Sequence, residues 1–163
     1  MSVEKTEKTE EVLNEGSKEF LSMMVGEQMF GVPVLQVQDV LGERKVTRVP
    51  LAPPEVAGAM NLRGRIVTAI NLRHKLSMPE KPEDMKSMYI VVDHEGELYS
   101  LIVDTVGDVL SLPDKAFEKT LTTIEPAWKE LSLGVYRLEE QLLVILDVPS
   151  MLEALYVKDE NVA

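Results

Sequence analysis

The sequence predicts a mainly all-β fold made of two similar halves that pack together. Three observations predict it. Short runs of β-branched and other apolar residues are separated by turn residues along most of the chain. Prolines lie between these runs rather than inside them, as expected for strands. Finally, residues 58–72 have a weaker copy at residues 134–148. Each half is too small to bury a good core alone, so the halves are expected to pack on each other or to close as small barrels.

Two hairpins begin the two halves. Each has two apolar runs around a short connection that contains glycine, which accepts the positive φ of a tight hairpin. The runs and their connections are residues 20–25 and 28–32 around Gly26-Glu27, and residues 89–93 and 98–103 around Glu95-Gly96.

The halves match each other in register. Phe30 aligns with Tyr99, and residues 37–41 align with residues 106–110 at the same offset of 69, where both contain Asp-Val-Leu. Gly58 aligns with Gly134 at an offset of 76. We expect a duplication with halves at residues 19–80 and 86–150, and the pattern leaves open whether strands cross between them.

The ends of the chain are expected to differ from its middle. Residues 1–18 are acidic and poor in apolar side chains, which predicts a flexible leader. Residues 19–155 form the predicted domain, and residues 156–163 form a tail. A short helix is predicted at residues 150–155, after Pro149, because Met151, Leu152 and Leu155 share one helical face.

Composition excludes several classes of protein. A formal charge of −11 argues against binding of nucleic acid or of an anionic membrane surface, because both need a basic face. No apolar run is long enough to insert into a membrane, and no secretory signal is visible. Cysteine is absent, which excludes disulfides and thiol chemistry and fits a reducing cytoplasm.

No catalytic, cofactor or metal site is expected. His74 and His94 lack neighbours at metal-ligand spacing, so both are interpreted as solvated histidines. Phosphate-binding loops and nucleophile motifs are missing. Carboxylates beside apolar runs are interpreted as exposed strand residues or turn caps, and they are Asp39, Asp93, Asp104, Asp108 and Asp147.

The positive signal is a hairpin corner at Arg63-Gly64-Arg65. It presents arginine on a stiff turn, and arginine is favoured in protein interfaces because its planar guanidinium makes directional bonds to carboxylates. We therefore expect recognition of another protein. The equivalent corner of the second half carries Glu139-Glu140, so the charge at the corner reverses between the halves.

Around this corner the chain resembles the CheW family of chemotaxis adaptor proteins. The resemblance rests on residues 58–67, Gly-Ala-Met-Asn-Leu-Arg-Gly-Arg-Ile-Val, and covers residues 19–155. Supporting segments are residues 30–32 leading into 37–40, residues 46–50, and residues 102–104 leading into 108–110. The resemblance implies two packed SH3-like five-stranded β-barrels with a short C-terminal helix, and a non-catalytic scaffold role in the cytoplasm at membrane receptor arrays.

The partners that the resemblance implies are two. One is the regulatory domain of a CheA-type histidine kinase, which pairs barrel end to barrel end. The other is the helical cytoplasmic tip of a methyl-accepting chemoreceptor, which docks in an apolar groove between the barrels. The positions that match those implicated in receptor or kinase coupling in the family are Val37, Asp39, Gly58, Arg63 and Val109.

Other interpretations stay open for these residues and for the chain. Val37 and Val109 fit plain core positions, Gly58 fits a backbone requirement for positive φ, and Asp39 fits an internal pair with an arginine. The chain also fits a free-standing relative of the kinase's own regulatory domain in a related chemosensory pathway. A third alternative is a small-ligand β-barrel or all-β enzyme, for which a deep polar cavity with converging aspartates would be the sign.

Overall fold

The computed structural model describes residues 16–119 and 126–162, in which ten strands form two five-stranded sheets. The strands are β1 Ser17–Val25, β2 Gln28–Pro33, β3 Val37–Leu41, β4 Val56–Leu62, β5 Arg65–Asn71, β6 Met88–His94, β7 Glu97–Val103, β8 Thr105–Pro113, β9 Ser132–Arg137 and β10 Leu142–Leu146. The helices are α1 Leu72–Lys75, α2 Pro126–Lys129 and α3 Val148–Val162, and 3-10 turns lie at Val34–Gln36 and Asp114–Ala116. The predicted mainly all-β class is confirmed.

The two sheets have the same internal order. The first sheet runs β8-β1-β2-β10-β9 and the second runs β3-β6-β7-β5-β4. Strands β1 to β5 correspond to β6 to β10, and exchanging each strand with its counterpart converts one order into the other. The duplication predicted from aligned residues is therefore visible in the topology, down to the parallel pairing of β2 with β10 and of β7 with β5.

Strands do cross between the halves. The second sheet is a continuous stretch from β3 to β7, whereas the first sheet combines β1 and β2 with β8, β9 and β10. The chain passes from one sheet to the other through the 3-10 turn Val34–Gln36, and returns at Asp104, between β7 and β8. Each sheet thus takes three strands from one half of the sequence and two from the other.

The largest apolar cluster lies between the two sheets and α3. Alternation along the strands creates it, since Ile90 and Val92 of β6 belong to this shared core while Tyr89 and Val91 belong to a smaller cluster of the second sheet. A third cluster, around Phe20 and Tyr136, belongs to the first sheet. Because the shared core is the largest, each sheet depends on the other for burial, as the small size of the halves predicts.

Both ends of the domain extend further than expected. β1 begins at Ser17, within the predicted leader, because Ser17 and Lys18 pair with Pro113 and Leu112 of β8. Residues 1–15 lie outside the described residues. α3 begins at Val148 and continues to Val162, well into the predicted tail, while its predicted face is buried through Met151, Leu152 and Leu155.

Each repeat continues from its last strand into a helix with the same cap. The side chain of Asn71 accepts a hydrogen bond from the backbone N–H of His74 (3.2 Å) at the start of α1. Asp147 accepts equivalently from Ser150 N–H (3.2 Å) at the start of α3. These are ordinary helix N-caps, in which a short polar side chain satisfies a free backbone donor. The one-turn helix α1 was not expected from the sequence.

Candidate protein-binding surface

The predicted arginine corner is a tight two-residue turn between β4 and β5. Leu62 pairs with Arg65, which leaves Arg63 at φ 51° and Gly64 at φ 85° as the connection. Positive φ at both positions is the signature of a type I′ turn, whose twist matches that of the flanking strands. The backbone N–H of Gly64 also donates to Asn61 Oδ1 (3.0 Å), so the corner is held from both sides.

Two of the predicted site residues meet at this corner. Arg63 Nη2 lies 3.3 Å from Asp39 Oδ2 of β3, and the Arg63 side chain is 78% exposed. Asp39 Oδ1 accepts from the backbone N–H of Val40 (2.8 Å), which orients the carboxylate toward the arginine. An exposed ion pair of this kind contributes only about 0–1 kcal/mol to stability. Its geometry is therefore better suited to presenting charge to a partner than to holding the fold.

Apolar surface accompanies the charge. Ile66, the second residue of β5, is 69% exposed, while Val67 beside it is fully buried. Arg65 donates to the backbone carbonyl of Gly96 (3.3 Å) in the neighbouring hairpin. We call the surface formed by Asp39, Arg63, Arg65 and Ile66 the Arg63 face. It places two arginines beside an exposed aliphatic side chain on a chain whose net charge is −11.

Two cavities flank the Arg63 face. One, of about 140 Å³, is lined by Asp39, Arg63 and Arg65 with Leu62 and Leu98 among its apolar neighbours. The other, of about 370 Å³, lies between the β4–β5 and β6–β7 hairpins, where Arg65 and Leu98 again contribute. Small recesses beside exposed arginine and isoleucine are suited to receiving side chains of a docked protein.

Gly58 is buried within β4, toward the end of the strand that is remote from this corner. A Cβ atom there would stand 2.2 Å from the backbone oxygen of Thr47. The backbone of Thr47 comes this close because it exchanges two hydrogen bonds of 2.8 Å with Ala59, the residue after Gly58. Gly134 is in the same position in the first sheet, where a Cβ would lie 2.6 Å from Glu118 O beside the Glu118–Val135 bridge. Close backbone approach, together with φ 156° at Gly58, explains why both repeats have glycine there.

The two valines of the predicted site lie apart from this face. Val37 pairs with Val92 at the start of β3 and packs partly buried against the shared core. Val109 lies on the edge strand β8 of the first sheet and is 51% exposed, so interpreting it as a core residue is wrong. The structure thus unites Asp39 and Arg63, with Gly58 supporting their sheet, and places Val109 on the other sheet.

Sequence reasoning missed Ile66 and Leu35 as exposed apolar residues. The signal for Ile66 was present, since alternation around the inward-facing Val67 turns it outward. Leu35, in the 3-10 turn between β2 and β3, is 96% exposed. It borders a cavity of about 500 Å³ that is also lined by Pro33, Val34 and the start of β1. The lining is mixed, since Lys18, Glu19 and Ser111 also border this recess, which lies where the chain passes from one sheet to the other.

Three of the aspartates beside apolar runs, Asp93, Asp104 and Asp147, make contacts within the fold. Asp104 is engaged by Arg73, whose Nη2 lies 2.6 Å from Asp104 Oδ2, and also accepts from the backbone N–H of Gly26 (2.7 Å). Asp93 caps the β6–β7 turn and Asp147 caps α3, in agreement with their interpretation as caps. Asp104 differs from that interpretation, because its ion pair is almost completely buried.

A polar cavity of about 340 Å³ adjoins this ion pair. Its lining combines Arg73 and Asp104 with Glu80, Lys81 and Tyr89. Charges of both signs are present, and Lys81 donates to Ser87 Oγ at 2.5 Å. Burial raises the pKa of Tyr89, and the negative charge of Glu43 raises it further, so the phenol stays protonated at neutral pH. Among the described residues, Asp104 is the one aspartate in the lining, and its carboxylate is paired with Arg73.

His94 is not the solvated histidine expected from the sequence. Its side chain is only 12% exposed and lies against α3, with Nε2 at 3.7 Å from Glu153 Oε1. The burial arises because α3 covers the end of β6, a packing that residues near His94 in sequence cannot reveal. His74, in contrast, is exposed as expected.

Comparison with known proteins identifies relatives over almost the whole chain. A family model described as "CheW-like domain" matches residues 19–155. The chemotaxis protein CheW of Klebsiella aerogenes is 33% identical over 143 residues, which cover 84% of this chain and 82% of the relative. A probable chemotaxis protein CheW of Rhizobium etli is 26% identical, with 93% of this chain and 95% of the relative covered. Protein PilI of Pseudomonas aeruginosa is 29% identical over 76% of this chain and 70% of its own.

A solved structure shares the fold. The scaffolding protein TtCheW from Thermoanaerobacter tengcongensis superimposes with a TM-score of 0.74 at 24% identity, covering 83% of this chain and 92% of that protein. Among the described residues no helix has the length and apolarity needed to cross a membrane. The family match extends over the corner, both sheets and the first turns of α3, and it shows that the chain belongs to the CheW-like family.

Proposed function

We propose that this protein is a non-catalytic adaptor that couples chemoreceptors to a CheA-type histidine kinase in chemotaxis. The observation that carries the proposal is the Arg63 face, in which exposed arginine and isoleucine stand on a rigid type I′ turn in a chain of the CheW-like family. Functional contacts on a stiff hairpin lose little conformational entropy on binding.

The kinase contact is assigned to the Arg63 face. It is at one end of the second sheet, and the kinase's regulatory domain is expected to pair end to end with this fold. Arg63 offers a guanidinium for a partner carboxylate, and Ile66 offers apolar area beside it. Asp39 holds the arginine in place until a partner carboxylate replaces it, at little cost because the pair is exposed.

The receptor contact is assigned to the crossover recess around Leu35. A helical receptor tip presents an apolar stripe, and such a stripe needs an apolar groove to receive it. Leu35, Pro33 and Val34 supply the apolar part of a recess beside the passage between the sheets, and Lys18 and Glu19 supply charged groups beside it. Val109, half exposed on β8, adds apolar surface on the first sheet.

Signal transfer requires no chemistry in the adaptor. A bridging protein shifts a kinase equilibrium only when its contacts differ between the active and inactive states. Two separate contact surfaces allow receptor and kinase to be bound at the same time, and coupling then requires that at least one of these contacts differ between the two kinase states. The protein then acts in the cytoplasm, at membrane receptor arrays, through these contacts alone.

A reconstitution tests the proposal. The full chain is immobilised and offered a CheA-type regulatory domain, a chemoreceptor tip fragment, or both, from the same cell. We expect each to be retained alone and both to be retained together, because their surfaces are separate. Retention of neither partner would overturn the proposal. Competition between the two would contradict the assignment of separate surfaces. If this chain were instead a free-standing relative of a kinase regulatory domain, we would expect it to retain a CheW-like adaptor and not the receptor tip.

A further inference from the structure

Three potential metal ligands meet where the β6–β7 hairpin touches the C-terminal helix. His94 ends β6, Glu95 follows it in the turn, and Glu153 lies on the second turn of α3. One ligand atom from each of the three lies within 4.8 Å of the other two. The two elements are 59 residues apart in sequence, so only the packing of α3 brings these groups together.

The imidazole of His94 is the least satisfied member of this group. Its Nε2 atom is buried and has no hydrogen-bond partner in the part of the chain that the structure describes. The Nε2–Oε1 distance to Glu153 is 3.7 Å, which exceeds a hydrogen bond. A buried polar nitrogen without a partner costs free energy, and native proteins supply such atoms with a partner, a water or an ion.

The ligands stand on elements whose positions are already held. The turn carrying Glu95 has φ 52° there and is closed by Gly96 N–H donating to Asp93 Oδ1 (3.2 Å). α3 is anchored through the buried Leu152 and Leu155 on either side of Glu153. Ligands on anchored elements require little rearrangement when an ion binds.

We propose that His94, Glu95 and Glu153 form a binding site for a divalent transition-metal ion of the zinc type. One neutral imidazole and two carboxylates are ligands that Zn²⁺, Co²⁺ and Ni²⁺ accept, with water completing the shell. The imidazole disfavours Mg²⁺ and Ca²⁺, which prefer oxygen ligands. The ion supplies the missing partner of Nε2 and ties the hairpin that flanks the Arg63 face to α3. The site does not depend on the adaptor function.

The chain offers a matched control for the test. The chain contains two histidines and no cysteine, and these are the side chains that zinc favours. His74 is therefore the natural control for His94. His74 is exposed on α1 and belongs to no such group among the described residues. We compare the full-length wild type with His94→Gln, Glu153→Gln and His74→Gln, all freed of metal with a chelator.

Isothermal titration with ZnCl₂ is the main measurement. We expect one ion per wild-type chain, about tenfold or greater loss of affinity in His94→Gln and in Glu153→Gln, and no change in His74→Gln. NMR of the histidine rings adds a direct readout, in which Zn²⁺ shifts the ring resonances of His94 and leaves those of His74 in place.

Glu153 is exposed, so its variant tests the site even if His94→Gln disturbs packing. Circular dichroism of each metal-free variant checks that it folds. The proposal fails if the wild type shows no saturable binding of Zn²⁺, because the three side chains would then be neighbours that hold no ion. It also fails if a folded Glu153→Gln binds as tightly as wild type, or if His74→Gln loses binding to the same extent.

Discussion

The β4–β5 and β9–β10 hairpins occupy equivalent places in the two sheets, yet their corners are built differently. In the first, Arg63 and Gly64 both have positive φ. In the second, Glu139 and Glu140 stand at the corresponding positions without positive φ, and Leu138 N–H donates to Gln141 O (2.8 Å) to close the turn. Both sheets have a corner at this place, but only the first corner has an arginine whose backbone lies in the left-handed region. Arg63 is therefore a feature of the first repeat rather than a requirement of the fold.

The two crossovers between sheets show a similar contrast. In the alignment of the repeats, Leu35 and Asp104 are equivalent positions. Leu35 is exposed, whereas Asp104 is buried with Arg73 and also binds the backbone of Gly26. One crossover thus presents an apolar surface, and the other clamps the β1–β2 turn to α1. The crossover at Leu35 is therefore available for binding, whereas the crossover at Asp104 stabilises the fold.

The largest effect is expected at the clamped crossover. Asp104→Ala should lower the free energy of unfolding by about 3–5 kcal/mol, because it leaves the Arg73 guanidinium buried without its partner. Leu35→Ala at the equivalent position should change it by no more than about 0.5 kcal/mol, as for other exposed substitutions. Urea unfolding followed by circular dichroism measures both. Equal losses in the two variants would refute the contrast between the crossovers.

A smaller effect is expected at the corners. Gly64→Val should lower the free energy of unfolding by about 1–2 kcal/mol, the cost of a left-handed backbone for a residue with a Cβ. A Cβ at Gly64 would meet no described atom within 4 Å, so the cost is one of backbone conformation alone. Glu140→Val, at the equivalent position without positive φ, is the control and should unfold within about 0.5 kcal/mol of wild type. Should the control lose as much stability as Gly64→Val, the two corners would not differ as described.

The smallest effect on stability, but a large one on signalling, is expected for Arg63→His. The variant should lose at most about 1 kcal/mol of stability, since the pair with Asp39 is exposed, while receptor-dependent kinase activation falls. Arg137→His is the matched control, because Arg137 forms an exposed pair with Glu118 (2.7 Å) in the first sheet. Kinase assays with receptor and adaptor present measure the activation. Normal activation by folded Arg63→His, or an equal defect in Arg137→His, would remove Arg63 from the kinase contact.

Local patterns predicted the strands well because hairpin signals act over a few residues. The connections at Gly26, at Gly64 and at Gly96 mark turns that the structure confirms, and all three glycines have positive φ. The pairing of Asp39 with Arg63 was one of the interpretations left open, since the sequence could name both residues but not their distance. Val109 shows the limit of pattern, because an apolar residue in an edge strand can face solvent as readily as core.

The sequence by itself determined the strands, the turns, the duplication and the family resemblance, because these depend on residue order and on backbone preferences that act locally. The tertiary structure alone decided which strands join which sheet, how Asp104 came to be buried, and how His94 met Glu153. Each of these depends on contacts between segments far apart in the chain. At the arginine corner both levels meet: Gly64 and the outward-facing Ile66 follow from local pattern, whereas the pairing of Arg63 with Asp39 depends on how β3 approaches the β4–β5 turn.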